Sequence, residues 1–329
     1  MGTVAWFGFH LLVGALGAWA ARGYARRRAL LDHPGERRSH DLPTPRGGGV
    51  AVAASLLLAS AWLAWRFPAQ VPLLAGFGVG LALVSSIGWV DDHRPLPAWS
   101  RFIVHVVAGG VFALGCWLQS GDTLATAVAF AGTVVLVNAW NFMDGIHGLA
   151  ATQAMLVALM PAVLAAPPTV ALALALVAST LGFLPWNFPR ARLFLGDVGS
   201  GALGFAIAAL VAMATLVEGP RALVLALFPL AAFLLDTGLT LARRIVEGER
   251  WWQPHVSHAY QHAARRWGHA SVTTAFAAWT TAALLAVWTL HDVAVTTLTI
   301  ALVPWYASGA LVWWVLGRRR RLQAMENRE

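Results

Sequence analysis

Residues 124–164 run L-A-T-A-V-A-F-A-G-T-V-V-L-V, then N-A-W-N-F-M-D-G-I-H-G-L-A from Asn138 to Ala150, then a second apolar run to Leu164. Two Asn, one Asp, one His and two Gly therefore stand between two segments with the composition of membrane spans. A polar cluster at a membrane boundary is costly unless it faces water, a ligand or other protein. Asn138 and Asn141 are three residues apart, so at a helix end they share a face and lie near Asp144. Three oxygen-bearing side chains on one face suit a hard cation or a phosphate-bearing ligand. The plainer alternative is a helix end with a polar turn. Gly145 and Gly148 allow close backbone approach or positive φ.

The same alternation of long apolar runs and short polar connections fills the chain. Of its 329 residues 58% are hydrophobic and 12% charged, and a soluble domain of this size has no use for repeated apolar runs of about 20 residues. The runs predict an all-α, polytopic integral membrane protein of 10–11 transmembrane helices, a single domain over 1–329. Spans are expected near 3–21, 48–66, 71–89, 102–118, 123–138, 148–165, 168–185, 200–217, 222–242, 272–290 and 294–316. Pro167 and Pro168 divide the Ala-rich stretch 148–185 in two, because proline stops a helix. The 17 Trp suit interfacial rings. The single Cys116 excludes a disulfide framework and a cysteine metal site.

Charge orders these spans. The first has no basic residue before it and Arg22, Arg26, Arg27 and Arg28 after it, the reverse of a signal peptide. It is expected to stay as an anchor with its N-terminus periplasmic. Alternating the connections puts 22–47, 90–101, 139–147, 186–199, 243–271 and the C-terminal tail on one side, with 21 of the 23 Arg; only Arg66 and Arg221 fall on the other. That is the asymmetry of the positive-inside rule, so the Arg-rich side is expected to be cytoplasmic. The formal charge of +8 thus belongs to topology and not to nucleic acid.

All the unusual chemistry lies on that side. The first loop carries Arg37, Arg38, His40 and then T-P-R-G-G-G with Arg46, where side chains and open backbone N–H groups suit anions. Asp91 and Asp92 are adjacent at a span end, and their repulsion calls for a cation or a basic partner. Asp197, in F-L-G-D-V-G-S-G, precedes a span and is placed to cap that helix or to hold a metal whose phosphate partners face the helix dipole. Asp236 lies within a span, and Arg243 and Arg244 follow it. His255, His258 and His262 have 3 and 4 spacing and would share a face on a helix. With no cysteine at hand, donors to a nucleotide diphosphate are the better reading than a zinc site. His10, His105 and His291 lie in spans or at their outer ends and read as structural.

D-D-H-R at Asp91, N-A-W-N-F-M-D-G-I-H-G-L-A at Asn138 and F-L-G-D-V-G-S-G at Phe194, joined by the His-rich loop, resemble the polyprenyl-phosphate N-acetylhexosamine-1-phosphate transferases, the membrane type of glycosyltransferase family 4. The resemblance runs from Asp32 to His269. Within the family Q-P-H-V-S-H-A-Y-Q looks like the O-antigen-initiating branch that moves N-acetylfucosamine or N-acetylquinovosamine phosphate. That branch usually has Arg at the position of Val256, and the family usually has Asp at the position of His147.

The resemblance implies transfer of a sugar 1-phosphate from a UDP-N-acetylhexosamine to undecaprenyl phosphate, with release of UMP, to initiate O-antigen-like polysaccharide. It implies a Mg²⁺ cofactor, replaceable by Mn²⁺, and a bacterial inner-membrane protein with its active site on the cytoplasmic face. Asp197 is then the expected metal ligand. Asp91 and Asp92 would hold the metal or the lipid phosphate, with Asp91 the candidate base, and Asp144 would join Asn138 and Asn141 in positioning the nucleotide and diphosphate. His255, His258 and Arg265 would contact the sugar phosphate, with Arg46 and His40 as further anion contacts. Arg318 to Arg321 would meet anionic headgroups of the membrane lipids, and homodimerisation is a family-level expectation. The rival readings are a secondary transporter and a Mg-dependent intramembrane prenyltransferase. The first wants midplane charge, and Asp236 is the only clear instance. The second wants another Asp-rich motif, and Asp91-Asp92 is followed by His-Arg-Pro.

Overall fold

The computed structural model describes residues 1–32, 43–164, 166–250, 253 and 255–326. Twelve α-helices carry the described chain: α1 (Thr3–Arg27), α2 (Val50–Arg66), α3 (Val71–His93), α4 (Ala98–Ser120), α5 (Thr123–Met143), α6 (Leu149–Leu164), α7 (Pro167–Asn187), α8 (Asp197–Glu218), α9 (Pro220–Val246), α10 (Ala259–Trp267), α11 (His269–Leu290) and α12 (Val295–Glu326). A two-residue antiparallel pair, β1 (Leu31–Asp32) with β2 (Thr44–Pro45), closes the first loop. Nine of the described helices are long and apolar enough to cross a membrane, and α2 and α6 are shorter apolar helices. These eleven correspond one for one to the eleven apolar runs of the sequence. The chain is a multi-pass, all-α membrane protein.

Most helices outrun the predicted spans, because hydropathy marks the lipid-facing part of a helix and not its end. α3 continues to His93 and α9 to Val246, carrying Asp91, Asp92, Arg243 and Arg244 as helical residues. The interior prolines Pro161, Pro185, Pro229 and Pro304 do not end their helices. Packed neighbours in a bundle can satisfy the carbonyl that proline leaves free.

α8 is the axis. It is apolar on every side, and every residue from Val198 to Thr215 is buried. Around it the other helices wrap with small residues at their crossings. Gly49 shows why T-P-R-G-G-G is glycine-rich: a Cβ there would fall on the Gly199 backbone, so α2 and α8 begin almost in backbone contact. The N–H groups of Gly48 and Gly49 donate to the Phe194 and Leu195 carbonyls at 2.9 and 2.8 Å. The expectation that this run offers open N–H groups to an anion is therefore corrected at these two residues: their donors tie the first loop to the segment before α8.

The outer helices dock by polar contacts at specific depths. The Trp6 indole of α1 donates to the Ala171 carbonyl of α7 at 2.8 Å, and His10 Nδ1 pairs with Ser55 Oγ at 2.7 Å. α12 is held to α9 by Trp305 and Tyr306, which donate to the Phe228 and Leu227 carbonyls. At one end of the bundle the C-terminal ends of α1, α3, α5 and α9 meet the N-terminal ends of α2, α4 and α8, and this end carries the Arg-rich connections.

Candidate active site

Asp91, Asp92, Arg101 and Asp197 converge at that end. Arg101, on the first turn of α4, places one guanidinium nitrogen against both Asp91 Oδ2, at 2.9 Å, and Asp197 Oδ2. Asp91 also accepts the Leu96 N–H at 2.6 Å. The positive partner that the adjacent carboxylates called for is thus Arg101; Arg94 is exposed. Sequence reading missed Arg101 because it looks like one more residue of an Arg-rich loop. The only signal was its position ten residues past Asp91, at the start of a span.

The adjacent carboxylates do different work. Asp92 is 2% exposed and accepts the N–H groups of Asp197 and Val198, at 3.0 and 3.2 Å. It caps α8 from another helix, satisfying two donors that a helix N-terminus leaves open. Gly196, at φ +77, makes room, since a Cβ there would meet the Asp92 carboxylate at 2.5 Å. Capping by Asp92 leaves the Asp197 side chain free to turn outward to Arg101. Arg46 packs beside this joint, donating to the Asp92 carbonyl with its Nε 4.0 Å from the carboxylate. Of the anion contacts expected in the first loop, Arg37, Arg38 and His40 lie outside the described residues.

Asn138 and Asn141 occupy the last turns of α5, and Asp144 is its C-cap. Asn141 Nδ2 donates to Ser200 Oγ on α8 at 3.3 Å, while Asn138 Nδ2 bonds back to the Val134 carbonyl at 2.7 Å. Burial holds the Asp144 carboxyl well above the usual carboxylate range, and the negative charges of Asp197 and Asp92 push it the same way. Asp144 thus belongs electrostatically to the same cluster. His147 clamps the loops around it: its ring lies 4.2 Å from that of His269, its Nδ1 is 3.3 Å from the Pro189 carbonyl, and its own carbonyl accepts from Thr273.

The His-rich loop folds differently from the expectation of one helical face. α10 begins at Ala259 with His258 as its N-cap, so His255 precedes the helix and only His262 lies within it. His255 and His258 nevertheless meet, their rings stacked at 4.9 Å and 29°. The reason is Asp236. Its carboxylate, 4% exposed in α9, accepts the N–H groups of Ala259 and Tyr260 at 2.9 Å each and the Thr240 hydroxyl at 3.2 Å, and it lies 3.3 Å from His258 Nδ1. Asp236 is the socket for α10, which accounts for the intramembrane charge that favoured a transporter. His258 is buried as part of that socket.

From the socket α10 reaches the central motif. The Tyr260 hydroxyl donates to the Phe142 carbonyl at 2.9 Å, and Phe142 stacks on His258 at 6.1 Å. The Tyr260 phenol is pushed well above its ordinary value by burial and by the Asp236 and Asp144 charges, so it stays protonated and donating. His255 is half-buried, with Ser257 Oγ 2.9 Å from its Nδ1. Its pKa is lowered to about 4 by burial and by the positive charge of His258, Arg244 and Arg243. A neutral imidazole amid guanidinium groups is suited to an anionic ligand. Arg265 is exposed on α10, about two turns beyond the stack.

Among the described residues no three His, Cys, Asp or Glu side chains form a ready cage for a metal ion. Magnesium does not need one: it is bound by one or two carboxylates, with the remaining positions filled by water and substrate phosphate. Asp91 and Asp197, which share Arg101 as a positive partner, are the two carboxylates placed to offer such a pair of oxygens.

The family model described as Glycosyl transferase family 4 matches residues 74–215. The chain is 31% identical over 296 residues to a protein of Mycobacterium leprae (strain TN) named decaprenyl-phosphate N-acetylglucosaminephosphotransferase; the alignment covers 74% of this chain and 72% of that one. It is 29% identical over 251 residues to the probable undecaprenyl-phosphate N-acetylglucosaminyl 1-phosphate transferase of Bacillus subtilis (strain 168), covering 70% and 68%. To the phospho-N-acetylmuramoyl-pentapeptide-transferase of Moorella thermoacetica it is 35% identical over 201 residues, covering 52% and 61%.

Proposed function

Because this chain belongs to glycosyl transferase family 4, with the polyprenyl-phosphate N-acetylglucosamine phosphotransferases, we propose that it transfers an N-acetylhexosamine 1-phosphate from a UDP-sugar to undecaprenyl phosphate. The observation that carries the reading is the meeting of Asp91 and Asp197 on Arg101, with Asp144 beside them and the His255–His258 stack across the same end of the bundle. Two anionic substrates need this combination of hard oxygens and cationic donors.

An oxygen of the lipid phosphate bonds to the phosphorus that carries the sugar, the bond from that phosphorus to the UMP oxygen breaks, and UMP leaves with the electron pair. No proton need be removed from an attacking phosphate that is already ionised, so Asp91 serves better as an anchor than as a base. Asp91 and Asp197 would hold Mg²⁺, which would supply neutralisation of the phosphate charge. Arg101, which lies against the same two carboxylates, would face the incoming phosphate oxygens. Asn138, Asn141 and Asp144 position the nucleotide diphosphate, and His255 with Arg265 faces the sugar phosphate. The Arg-rich end carries this site, which supports a cytoplasmic active site in a bacterial inner membrane and a periplasmic N-terminus. The names of the relatives favour N-acetylglucosamine, and the Q-P-H-V-S-H-A-Y-Q loop favours N-acetylfucosamine or N-acetylquinovosamine for O-antigen-like polymer. Assay of a UDP-sugar panel with undecaprenyl phosphate tests the class and names the sugar. UMP is the expected product; pyrophosphate would instead support a prenyltransferase.

His255→Ala is expected to raise the nucleotide-sugar KM about ten-fold, the loss of one hydrogen bond to a charged group. Unchanged KM and kcat would remove His255 from substrate contact. Cation binding is also expected to release a proton. Burial first, and then repulsion by Asp197 and Asp92, raise Asp144; a positive charge at Asp91 and Asp197 offsets the repulsive part, so the Asp144 pKa falls and cation affinity increases with pH. Calorimetry of Mg²⁺ binding in buffers of different ionisation enthalpy checks this, and a buffer-independent heat would contradict it.

A further inference from the structure

A cavity of about 510 Å³ opens between α9, α10, α11 and α12, apart from the helices that carry the acidic cluster. Leu235, Val272, Phe276, Val312 and Trp313 are among its walls. The polar groups that border it are mostly spent: the Asp236 carboxylate holds α10, and the Tyr260 hydroxyl is bonded to Phe142. What remains is hydrocarbon and aromatic surface, within the size range of about 300–1,000 Å³ for small-ligand sites. Three of its four helices are long enough to cross the membrane, and wall residues Ala275 and Val312 are exposed, so it opens toward the lipid phase.

One end of this cavity is cationic. Trp267 and Trp313 both line it, and each carries a guanidinium over its ring: Arg266 at 5.6 Å and Arg243 at 5.8 Å. In sequence α12 runs from lining residue Leu316 directly into Arg318 to Arg321. An apolar slot with a Trp–Arg rim at the membrane boundary matches an anionic phospholipid, chain inside and phosphate at the rim.

We propose that this cavity binds one acyl chain of an anionic bilayer phospholipid, with its phosphate at Arg266 and Arg243. The acceptor polyprenyl phosphate is the less fitting occupant, because its phosphate must reach Asp91 and Asp197 on α3 and α8, whereas the cationic rim lies on α9, α10 and α12. The lipid has a structural use. Ala259, Ala263 and Trp267 turn one side of α10 to the cavity, while Tyr260 reaches to the central motif. A filled cavity therefore steadies the helix that seats His258. This last link and the exclusion of the acceptor rest on the proposed function; the binding of an anionic phospholipid does not.

Native mass spectrometry of the full chain in detergent, titrated with phosphatidylglycerol or phosphatidylcholine, tests the site without any assay of activity. One phosphatidylglycerol should be retained at least ~10-fold more tightly than phosphatidylcholine, the rim supplying about five-fold per Arg. Ala275→Trp and Val312→Trp fill the cavity from exposed wall positions and should each lower retention ~10-fold or more. Arg266→Gln should reduce the preference for phosphatidylglycerol about five-fold while leaving phosphatidylcholine binding unchanged. Equal retention by wild type and both Trp variants, or equal affinity for the two lipids, would overturn the proposal. So would displacement of phosphatidylglycerol by equimolar undecaprenyl phosphate, which would give the cavity to the acceptor.

Discussion

Asp197→Asn abolishes transfer, by ~10³-fold or more, in a protein that unfolds at the wild-type temperature. The size follows from removing a preorganised charged group at a phosphoryl-transfer centre. The intact fold follows from the division of labour at the start of α8. Asp92 caps that helix through the backbone N–H groups of residues 197 and 198, which Asn supplies as well as Asp. The substitution alters only a side chain whose partner is Arg101, on the open side of the joint. Asp92→Asn is the control. It trades a buried charge-assisted cap for a neutral one that cannot accept with both side-chain ends, and should lower the unfolding temperature at least as clearly as the rate. Kinetics and thermal unfolding of both variants in one detergent decide the matter. An Asp197→Asn variant with wild-type kcat would remove the carboxylate from the chemistry.

The second large effect lies farther from the acidic cluster. Asp236→Ala strips four polar groups of their acceptor: the Ala259 and Tyr260 N–H groups, the Thr240 hydroxyl and His258. Buried donors left unpaired cost about 1–3 kcal/mol each, and loss of one partner of a buried charged pair costs about 3–5 kcal/mol. That exceeds what a nine-residue helix can recover from its own propensity. α10 should therefore detach while the membrane bundle stays folded, carrying away the His255–His258 stack and the Tyr260 bond to Phe142. The expected readings are rapid proteolysis within 247–268 and a fall of ~10²-fold or more in kcat/KM. Wild-type protease resistance in Asp236→Ala would mean that α10 is seated by something else.

These two carboxylates also mark where sequence reading stopped. The apolar runs were enough to locate eleven apolar helices, nine of them long enough to cross a membrane among the described residues, because lipid imposes length and composition on each helix separately. The motifs at Asp91, Asn138 and Phe194 likewise pointed to one end of the bundle. What a linear reading lacks is the partner across space. Asp92 and Asp197 both read as acidic residues at helix ends, and the sequence alone allowed Asp197 to cap its own helix. Only the packing of α3 on α8 assigns the cap to Asp92 and frees Asp197. Asp236 read as an isolated intramembrane charge because the N–H groups it binds lie 23 and 24 residues later, in a loop with no hydropathy signal. Triple glycine read as an anion loop, since close helix contact and open N–H groups call for the same residue. His255 and His258 were paired correctly by proximity and incorrectly by helix: a stack at a helix N-cap has the same spacing as a helical face.

The most direct measurement follows the phosphorus. A UDP-N-acetylhexosamine labelled in the phosphate next to the sugar is incubated with the purified chain, undecaprenyl phosphate and Mg²⁺, and the label is partitioned between butanol and water. Transfer of a sugar 1-phosphate carries the label into the lipid phase in step with UMP release, and EDTA abolishes both. Label that stays in water as UDP while sugar enters the lipid phase, or no UMP from folded protein with any donor of the panel, would contradict the proposed reaction.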